Sequence, residues 1–565
     1  MNKTSSFIFI LLFAFGLLAC QQESGNDDQI DLLLTNGKIW TGDDDRAWAS
    51  WIAIKDDRIH QLGGEDEKPP QADEVIDLNG QLTVPGFNDS HVHFGSAGAL
   101  LLGINLLEEK FRQRVQETTE RLPKGSWITR GDWGAYEAWG MGSEGDTTKE
   151  MAFSPHRSMI DDITPDHPVL VTRYDRTEGL ANALALEELG MESETGLLTG
   201  EDLLSALKKV PEKSFERRVA ESQRALAECR KYGVTTVQDM SDARQLDVYQ
   251  HLREKGELTC RVTFSPSRLI EYKNMIEKGW TIDWDAEGGP EAAGDEWIGF
   301  GTLKTHIDGI MGARTARFFQ PYSDNILESA NWRGGWREFS KDMGSFKDMI
   351  VAADSAGIQM RIHAIGDQAN SLLLDILDTM DHYNGVKDRR FRIVHAQVIS
   401  PEDFIRFKGR NIVAEVQPYH VTDDMRWMEE RIGYERCKGA YAFATLRDND
   451  CILSFGSDWP GTNASYYPIN PLMGLYAAVT RQTIKGEPEE GWFPEQRISL
   501  EEALKAYTWG AAYGAFQERE RGQLKEGMLA DLAVIDTDLF ETEPGEWLDA
   551  SFKMTMVGGK MVYKN

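Results

Sequence analysis

Hydrophobic and polar positions divide the chain into three regimes. From about Asp31 to Thr83, short apolar runs alternate with turn residues and no helical period is present. Leu32-Leu33-Leu34 and Lys38-Ile39-Trp40 flank Asn36-Gly37 and read as a hairpin. Trp51-Ile52-Ala53-Ile54 and Arg58-Ile59 flank Asp56-Asp57 as a second, and Glu74 to Leu78 runs into the turn Asn79-Gly80. The far end has the same character: Leu532-Ala533-Val534-Ile535 is an apolar strand, and Met554 to Val557 and Lys560 to Tyr563 flank Gly558-Gly559 as a hairpin. Two β fragments at opposite ends predict one composite β-sandwich, completed when the termini meet.

Between them, apolar strand-like runs alternate with helical periods. Predicted strands are Leu82 to His93, Gly233 to Asp239, Arg261 to Phe264, Phe300 to Asp308, Ile358 to His363, Arg392 to His395, Ile412 to Gln417 and Ile452 to Asp458. Helical periodicity fills stretches such as Ser214 to Lys231, with Ser214 a good N-cap, and Phe346 to Ala356. About eight β/α repeats predict the α/β class and a (β/α)8 TIM-type barrel. An insertion at about 95–231 separates the first two strands; its Trp, Gly and Asp content suits a lid or pocket wall, with Trp127, Trp133 and Trp139 as wall or core residues. The predicted organisation is 31–84 and 521–565 for the two β parts and 85–520 for the barrel.

The first twenty residues are a targeting segment. Lys3 is the basic start, and Phe7 to Leu18 is an apolar run too short to span a bilayer comfortably. It ends in Leu17-Leu18-Ala19-Cys20, which looks like a lipobox and marks 1–20 as a lipoprotein signal with Cys20 as the lipidated residue. Residues 21–30 read as a flexible tether. The expected location is therefore membrane-anchored, on the periplasmic or cell-surface side. The other cysteines, Cys229, Cys260, Cys437 and Cys451, are scattered without CxxC spacing, so a disulfide framework is not expected.

Composition sets bounds. A chain of 565 residues with 41% hydrophobic positions can build a large domain and a smaller companion. A formal charge of −31 with no basic cluster repels polyanions, which excludes a nucleic-acid partner and leaves a small-molecule substrate. A homo-oligomer is compatible with this composition.

The chemistry lies at the strand ends. His91 and His93, in Pro85-Gly86-Phe87-Asn88-Asp89-Ser90-His91-Val92-His93, are two apart on a strand and share a face. One metal ion needs that from a single strand, although surface pairs are common. His363, His395 and Asp458 end three further predicted strands. In a barrel, the C-terminal strand ends converge on one mouth. Imidazole and carboxylate suit a divalent transition metal. Lys304 lies inside the largely apolar Gly301 to Gly309, where a buried ammonium is costly. Pairing with an acid such as Asp308 is one account of it.

These motifs resemble the amidohydrolase superfamily, and within it the YtcJ-like branch (amidohydrolase family 3) that includes N-substituted formamide deformylases. The resemblance covers nearly everything after the tether. It is carried by the HxH after Pro-Gly-Phe, by Lys304 with Asp308-Gly309 and Arg314-Thr315-Ala316, by His363 and His395, by Phe455-Gly456-Ser457-Asp458-Trp459-Pro460, and by Gly522 to Leu532. It implies that His91 and His93 hold one metal and that His363 and His395 hold a second. A carboxylated Lys304 would bridge them, with zinc the default and Mn, Fe or Co compatible. Asp458 would bind metal and act as the catalytic proton carrier. The implied reaction is attack of a metal-bound hydroxide on a non-peptide amide, N-acyl or N-formyl carbonyl, because metal lowers the pKa of water from about 15.7 to near 7. The same site can serve isomerase, lyase or lactone and ester hydrolase chemistry, or survive in an inactive binding lipoprotein.

The chain departs from the branch at Tyr174-Asp175-Arg176-Thr177, where relatives carry Asp-Gly-His. Arg176 would then bind a substrate carboxylate or be an ordinary surface arginine. His306 shares the face of Lys304 and, with Asp308, is expected behind the metal ligands. In Gln417-Pro418-Tyr419-His420, Tyr419 and His420 are candidates for substrate contact or for loop packing. No role is assigned to His60, His156, His167, His251 or His382.

Overall fold

The computed structural model describes residues 29–105, 111–129, 131–132, 155–173, 178–324, 331–337, 340–461 and 467–565. The fold is mixed α/β. Among the described residues no helix is long and apolar enough to cross a membrane. Cys20 and Arg176 lie outside these residues, as do Trp133 and Trp139.

Both ends of the chain contribute to one six-stranded sheet. Leu82–Pro85 runs between the C-terminal strand Leu532–Ile535 and the N-terminal strand Lys38–Trp40, and Phe552–Val557, Lys560–Lys564 and Trp48–Ala49 extend it. A four-stranded sheet, Arg58–Gly63, Trp51–Lys55, Ile30–Thr35 and Ala72–Asp77, shares its core. Leu34, Ile52 and Ile54 meet Ile39, Leu532, Val534 and Met556 there. The hairpins at Asp56-Asp57 and Gly558-Gly559 form as expected, with Lys55 opposite Arg58 and Val557 opposite Lys560.

The Asn36-Gly37 turn is different. It does not close a hairpin, because Ile30–Thr35 and Lys38–Trp40 belong to different sheets. Asn36 takes a left-handed φ of 53°, and a Cβ on Gly37 would lie 2.6 Å from Leu78 Cδ1. A turn dipeptide encodes a change of direction; packing decides which strand it leads to.

The middle of the chain builds two parallel sheets. Phe87–Val92, Val234–Asp239, Arg261–Phe264 and Ile298–Gly299 form one; Thr302–His306, Gln359–Ala364, Arg392–His395, Val413–Val416 and Ile452–Phe455 form the other. Nearly every residue of these strands is buried, on both faces, and that includes polar and charged ones such as Asp89, Gln238, Arg361 and Glu415. The sheets meet at both margins. Lys304 N–H donates to the Pro266 carbonyl (2.9 Å), Asp458 N–H to His91 (2.8 Å) and His93 N–H to Trp459 (2.8 Å). The strand expected from Phe300 to Asp308 forms as Thr302–His306, and a short strand, Ile298–Gly299, precedes it. Gly301, at φ 111°, divides Ile298–Gly299, which pairs with Arg261–Phe264, from Thr302–His306, which pairs with Gln359–Ala364.

Helices cover these sheets. Ser214 Oγ accepts from Arg217 N–H and caps Phe215–Lys231, as its sequence position predicts. This helix crosses Phe94–Leu101 so closely that a Cβ on Gly98 would meet the Glu221 carbonyl at 2.2 Å. The intervening insertion has small cores of its own. Leu102, Ile104, Val169 and Leu180 form one, and Leu170, Leu186 and Leu203 form another against which Trp127 packs. Cys229, Cys260, Cys437 and Cys451 are all buried thiols without a disulfide. Arg261, buried, pairs through Nε (2.8 Å) and Nη2 (3.1 Å) with Asp531 and ties the first parallel sheet to the C-terminal strand.

Candidate metal centre

Four strands of the second parallel sheet direct polar side chains toward one point, Asp458 joins them from the loop after the fifth, Ile452–Phe455, and Phe87–Val92 adds to them from across the seam. The deepest layer is an ion cluster. Glu415, in the middle of Val413–Val416, accepts from Arg361 Nε (3.0 Å) and Nη2 (2.6 Å), pairs with Arg392 Nη2 (2.8 Å), and accepts from His91 Nδ1 (2.7 Å). Burial alone would push Glu415 up, but the two guanidiniums outweigh it and hold the carboxyl well below its usual range. A carboxylate only accepts, so His91 donates from Nδ1 and presents Nε2 to the site.

Two further imidazoles are oriented by the same logic. Gln417 Nε2 donates to the Glu415 carbonyl (3.1 Å), which leaves its Oε1 to accept from His395 Nδ1 (2.6 Å). His363 donates from Nε2 to the Gly309 carbonyl (2.9 Å). His395 therefore offers Nε2 and His363 offers Nδ1. Their rings lie 4.6 Å apart, and His91 lies 5.1 Å from His395. Burial holds His91 below its usual imidazole range, and His363, His395 and His306 well below it.

Asp458 completes the cluster. Its Oδ1 lies 3.2 Å from Nε2 of both His91 and His93. Burial would raise its carboxyl, yet the two imidazoles hold it well below the usual range. Asp458 and His395 both adopt left-handed φ, at 58° and 71°, as does Ala396 at 42°. Such strain in non-glycine residues persists only where the surroundings enforce it. Asp89 supplies part of that: its Oδ1 accepts from His91 N–H (3.1 Å) and Ser457 N–H (2.9 Å). Gly456 supplies another part, since a Cβ there would meet His91 N at 2.5 Å.

Lys304 sits among these groups, fully buried, and its Nζ has no hydrogen-bond partner among the described residues. Burial pushes it down to about 7. The expected alternative of a pair with Asp308 does not form. Asp308 instead accepts from Ile365 N–H (3.1 Å), Gly366 N–H (2.9 Å) and Arg317 N–H (2.8 Å), and lies 3.5 Å from His363 Nε2. It knits the loop after Thr302–His306 to the end of Gln359–Ala364. His306 stands beside His363, ring centres 5.0 Å apart. Tyr419 and His420 are both buried. His420 lies 3.8 Å from Asp458 Oδ2, and burial lowers it to about 4, while Tyr419 meets Tyr467 edge-on.

The site fits a divalent cation. His91, His395 and Asp458 offer ligand atoms that all lie within 4.8 Å of one another, and an orphaned amine sits beside them. The sequence reading passed over Glu415, Arg361, Arg392 and Gln417, although three of them are charges inside apolar strands, the same signal that singled out Lys304.

A strand-end cluster of imidazoles and a carboxylate, oriented from behind, defines a metal-dependent hydrolase of the amidohydrolase type. The amidohydrolase family model (Amidohydro_3) matches residues 74–563, and the chain belongs to that family. It is 33% identical to Protein LONG AFTER FAR-RED 3 of Arabidopsis thaliana, over 94% of this chain and 91% of that protein. It is 28% identical to Putative amidohydrolase YtcJ of Bacillus subtilis (87% and 90% covered) and 23% identical to N-substituted formamide deformylase of Arthrobacter pascens (94% and 98%). A metal-dependent hydrolase of Pyrococcus horikoshii superposes with a TM-score of 0.69 at 25% identity, covering 91% of this chain and 99% of that one.

Proposed function

We propose that the protein hydrolyses a carbon–nitrogen bond of a small non-peptide amide, N-acyl or N-formyl compound. The relative that is an N-substituted formamide deformylase supports that bond type. The observation that carries the reading is Lys304: a fully buried amine without a hydrogen-bond partner among the described residues, close to His91, His363, His395 and Asp458. An uncompensated buried ammonium costs several kcal/mol, on the order of 3–5. A carboxylated Lys304 would be an anionic oxygen ligand instead, held between two cations. His91 and His93 would hold one metal, His363 and His395 the second, and Asp458 would join the first. Zinc is the default metal for this donor set, with Mn, Fe or Co compatible.

The metal, when bound, lowers the pKa of water and polarises the scissile carbonyl. The chain's own residues do the rest. Glu415 and Gln417 lock His91 and His395 in the tautomers that present Nε2. Asp458, held ionised by its neighbours, takes a proton from the attacking water and returns it to the leaving nitrogen.

In this reading the two parallel sheets close as one (β/α)8 barrel, with Ile298–Gly299 and Thr302–His306 as two parts of a single strand broken at Gly301, and the two terminal sheets pack as a composite β-sandwich, with boundaries near 84 and 521. The seam hydrogen bonds and the shared terminal core support that. The lipobox at Cys20 supports an exported lipoprotein, anchored only by its N-terminal lipid and facing the periplasm or cell exterior.

Elemental mass spectrometry on protein purified with bicarbonate tests the centre. About two metals per chain, falling clearly in Lys304→Ala, is the expected result for a bridged pair. About one metal, unchanged in the variant, rejects the bridge, and no tightly held metal after reconstitution rejects the hydrolase reading.

A further inference from the structure

One imidazole at the centre differs from three of its neighbours. His91, His363 and His395 each use one ring nitrogen to bond a carboxylate, a carbonyl or an amide oxygen behind them. His420 presents Nε2, buried and without a hydrogen-bond partner among the described residues, into the site. The residue is 5% exposed. A buried polar atom left unsatisfied costs about 1–3 kcal/mol, so an arrangement that keeps one calls for a partner that arrives later.

The position of His420 is fixed by the fold. Val413–Val416 ends at Gln417, and Pro418 starts the helix Pro418–Asp424, whose first turn carries His420. Its ring lies against Tyr467 at 4.1 Å and stacks with His395 at 6.1 Å and 22°. Tyr467 is itself held, by N–H to the Pro460 carbonyl (3.0 Å) and by its hydroxyl to Asp423 Oδ2 (3.3 Å). Nε2 is 3.8 Å from Asp458 Oδ2, too far for a hydrogen bond. That carboxylate oxygen is the one turned away from His91 and His93, which face Oδ1. His420 thus stands between the proton-carrying edge of Asp458 and the His395 side of the centre, where the carbonyl would lie.

We propose that His420 is a catalytic residue, whose Nε2–H donates a hydrogen bond to the substrate carbonyl oxygen as it becomes a tetrahedral oxyanion. This rests on the hydrolase reading above. Water's oxygen bonds to the carbonyl carbon while its proton passes to Asp458. The carbon–nitrogen bond then breaks and Asp458 returns the proton to the leaving nitrogen. His420 keeps its own proton throughout, so its contribution is a fixed dipole aimed at developing charge.

The test compares wild type, His420→Phe, His420→Asn and Asp458→Asn as metal-loaded full-length protein. Two measurements are made: release of 4-nitroaniline from N-(4-nitrophenyl)formamide and its acetamide analogue, and calorimetric binding of methylphosphonate, a tetrahedral oxyanion. His420→Phe should lower kcat by about 10²–10³-fold with KM little changed, as loss of one oxyanion donor does. His420→Asn, which keeps an N–H donor, should recover at least about tenfold of that loss. Metal content should match wild type in both variants, and His420→Phe should be at least as thermally stable as wild type, because the lost nitrogen has no hydrogen-bond partner among the described residues. Methylphosphonate should bind His420→Phe at least about tenfold more weakly than wild type. Unchanged kcat, a rise in KM alone, loss of metal, or equal methylphosphonate binding in wild type and His420→Phe would each overturn the proposal. If neither anilide is turned over but methylphosphonate still discriminates between the two, the proposed bond type falls and the oxyanion contact stands.

Discussion

Glu415→Gln is the most informative single change outside the proposed metal ligands. It keeps the size of the side chain and removes its charge. In the wild type that charge is shared by two bonds from Arg361, a contact with Arg392 at 2.8 Å and the bond from His91 Nδ1. Removing one partner from a buried ion cluster leaves uncompensated cations and costs about 3–5 kcal/mol. A domain stable by on the order of 5–15 kcal/mol would remain folded, with a clearly lower denaturation midpoint. The second effect is local. Groups that bond a metal-binding histidine from behind typically contribute about 10–100-fold to metal affinity, so His91 in Glu415→Gln should hold its metal that much more weakly in a chelator competition at fixed pH. The sign with pH also follows. The folded carboxyl lies below its ordinary 4.5, so its stabilisation is fully present above that value and is lost as pH falls through the folded pKa. The stability gap between wild type and variant should therefore narrow in acid. A Glu415→Gln protein with wild-type stability and metal affinity within about threefold would refute this account of His91.

Three further outcomes follow from other contacts. Gly456→Ala should lower both stability, by about 1–3 kcal/mol, and metal content, because the new methyl lands 2.5 Å from His91 N and 2.8 Å from its Cβ; denaturation and elemental analysis check it. Arg261→Ala should destabilise by about 3–5 kcal/mol by depriving buried Asp531 of the guanidinium it pairs with, read as a lower urea midpoint. Burial raises Asp424 from 3.8 to about 8, so the folded state binds the extra proton and stability falls as pH rises between those values. Asp424→Asn should flatten that slope in denaturation midpoints measured from pH 4 to 9, and an unchanged slope would assign it to other groups.

Much of this protein was legible before any coordinates. The alternation of strand-like runs with helical periods placed the parallel strands. It also placed His91, His93, His363, His395 and Asp458 at strand ends and marked Lys304 as an anomaly, since a charge inside an apolar run has no cheap explanation. Three-dimensional packing decided the rest. Asn36-Gly37 encodes a reversal, but which sheet receives the next strand depends on what Leu78 and the C-terminal strands occupy. The break at Gly301 is set by its left-handed φ and by two different neighbouring strands, neither of which is local. Glu415, Arg361 and Arg392 lie 54 and 23 residues or more apart from their partners in sequence, and only the sheet register makes them one cluster. The sequence alone determined which residue types stand at the centre. The tertiary structure decided which nitrogen of each imidazole faces inward, because that choice belongs to the hydrogen-bond acceptor behind the ring, and the acceptor comes from another strand.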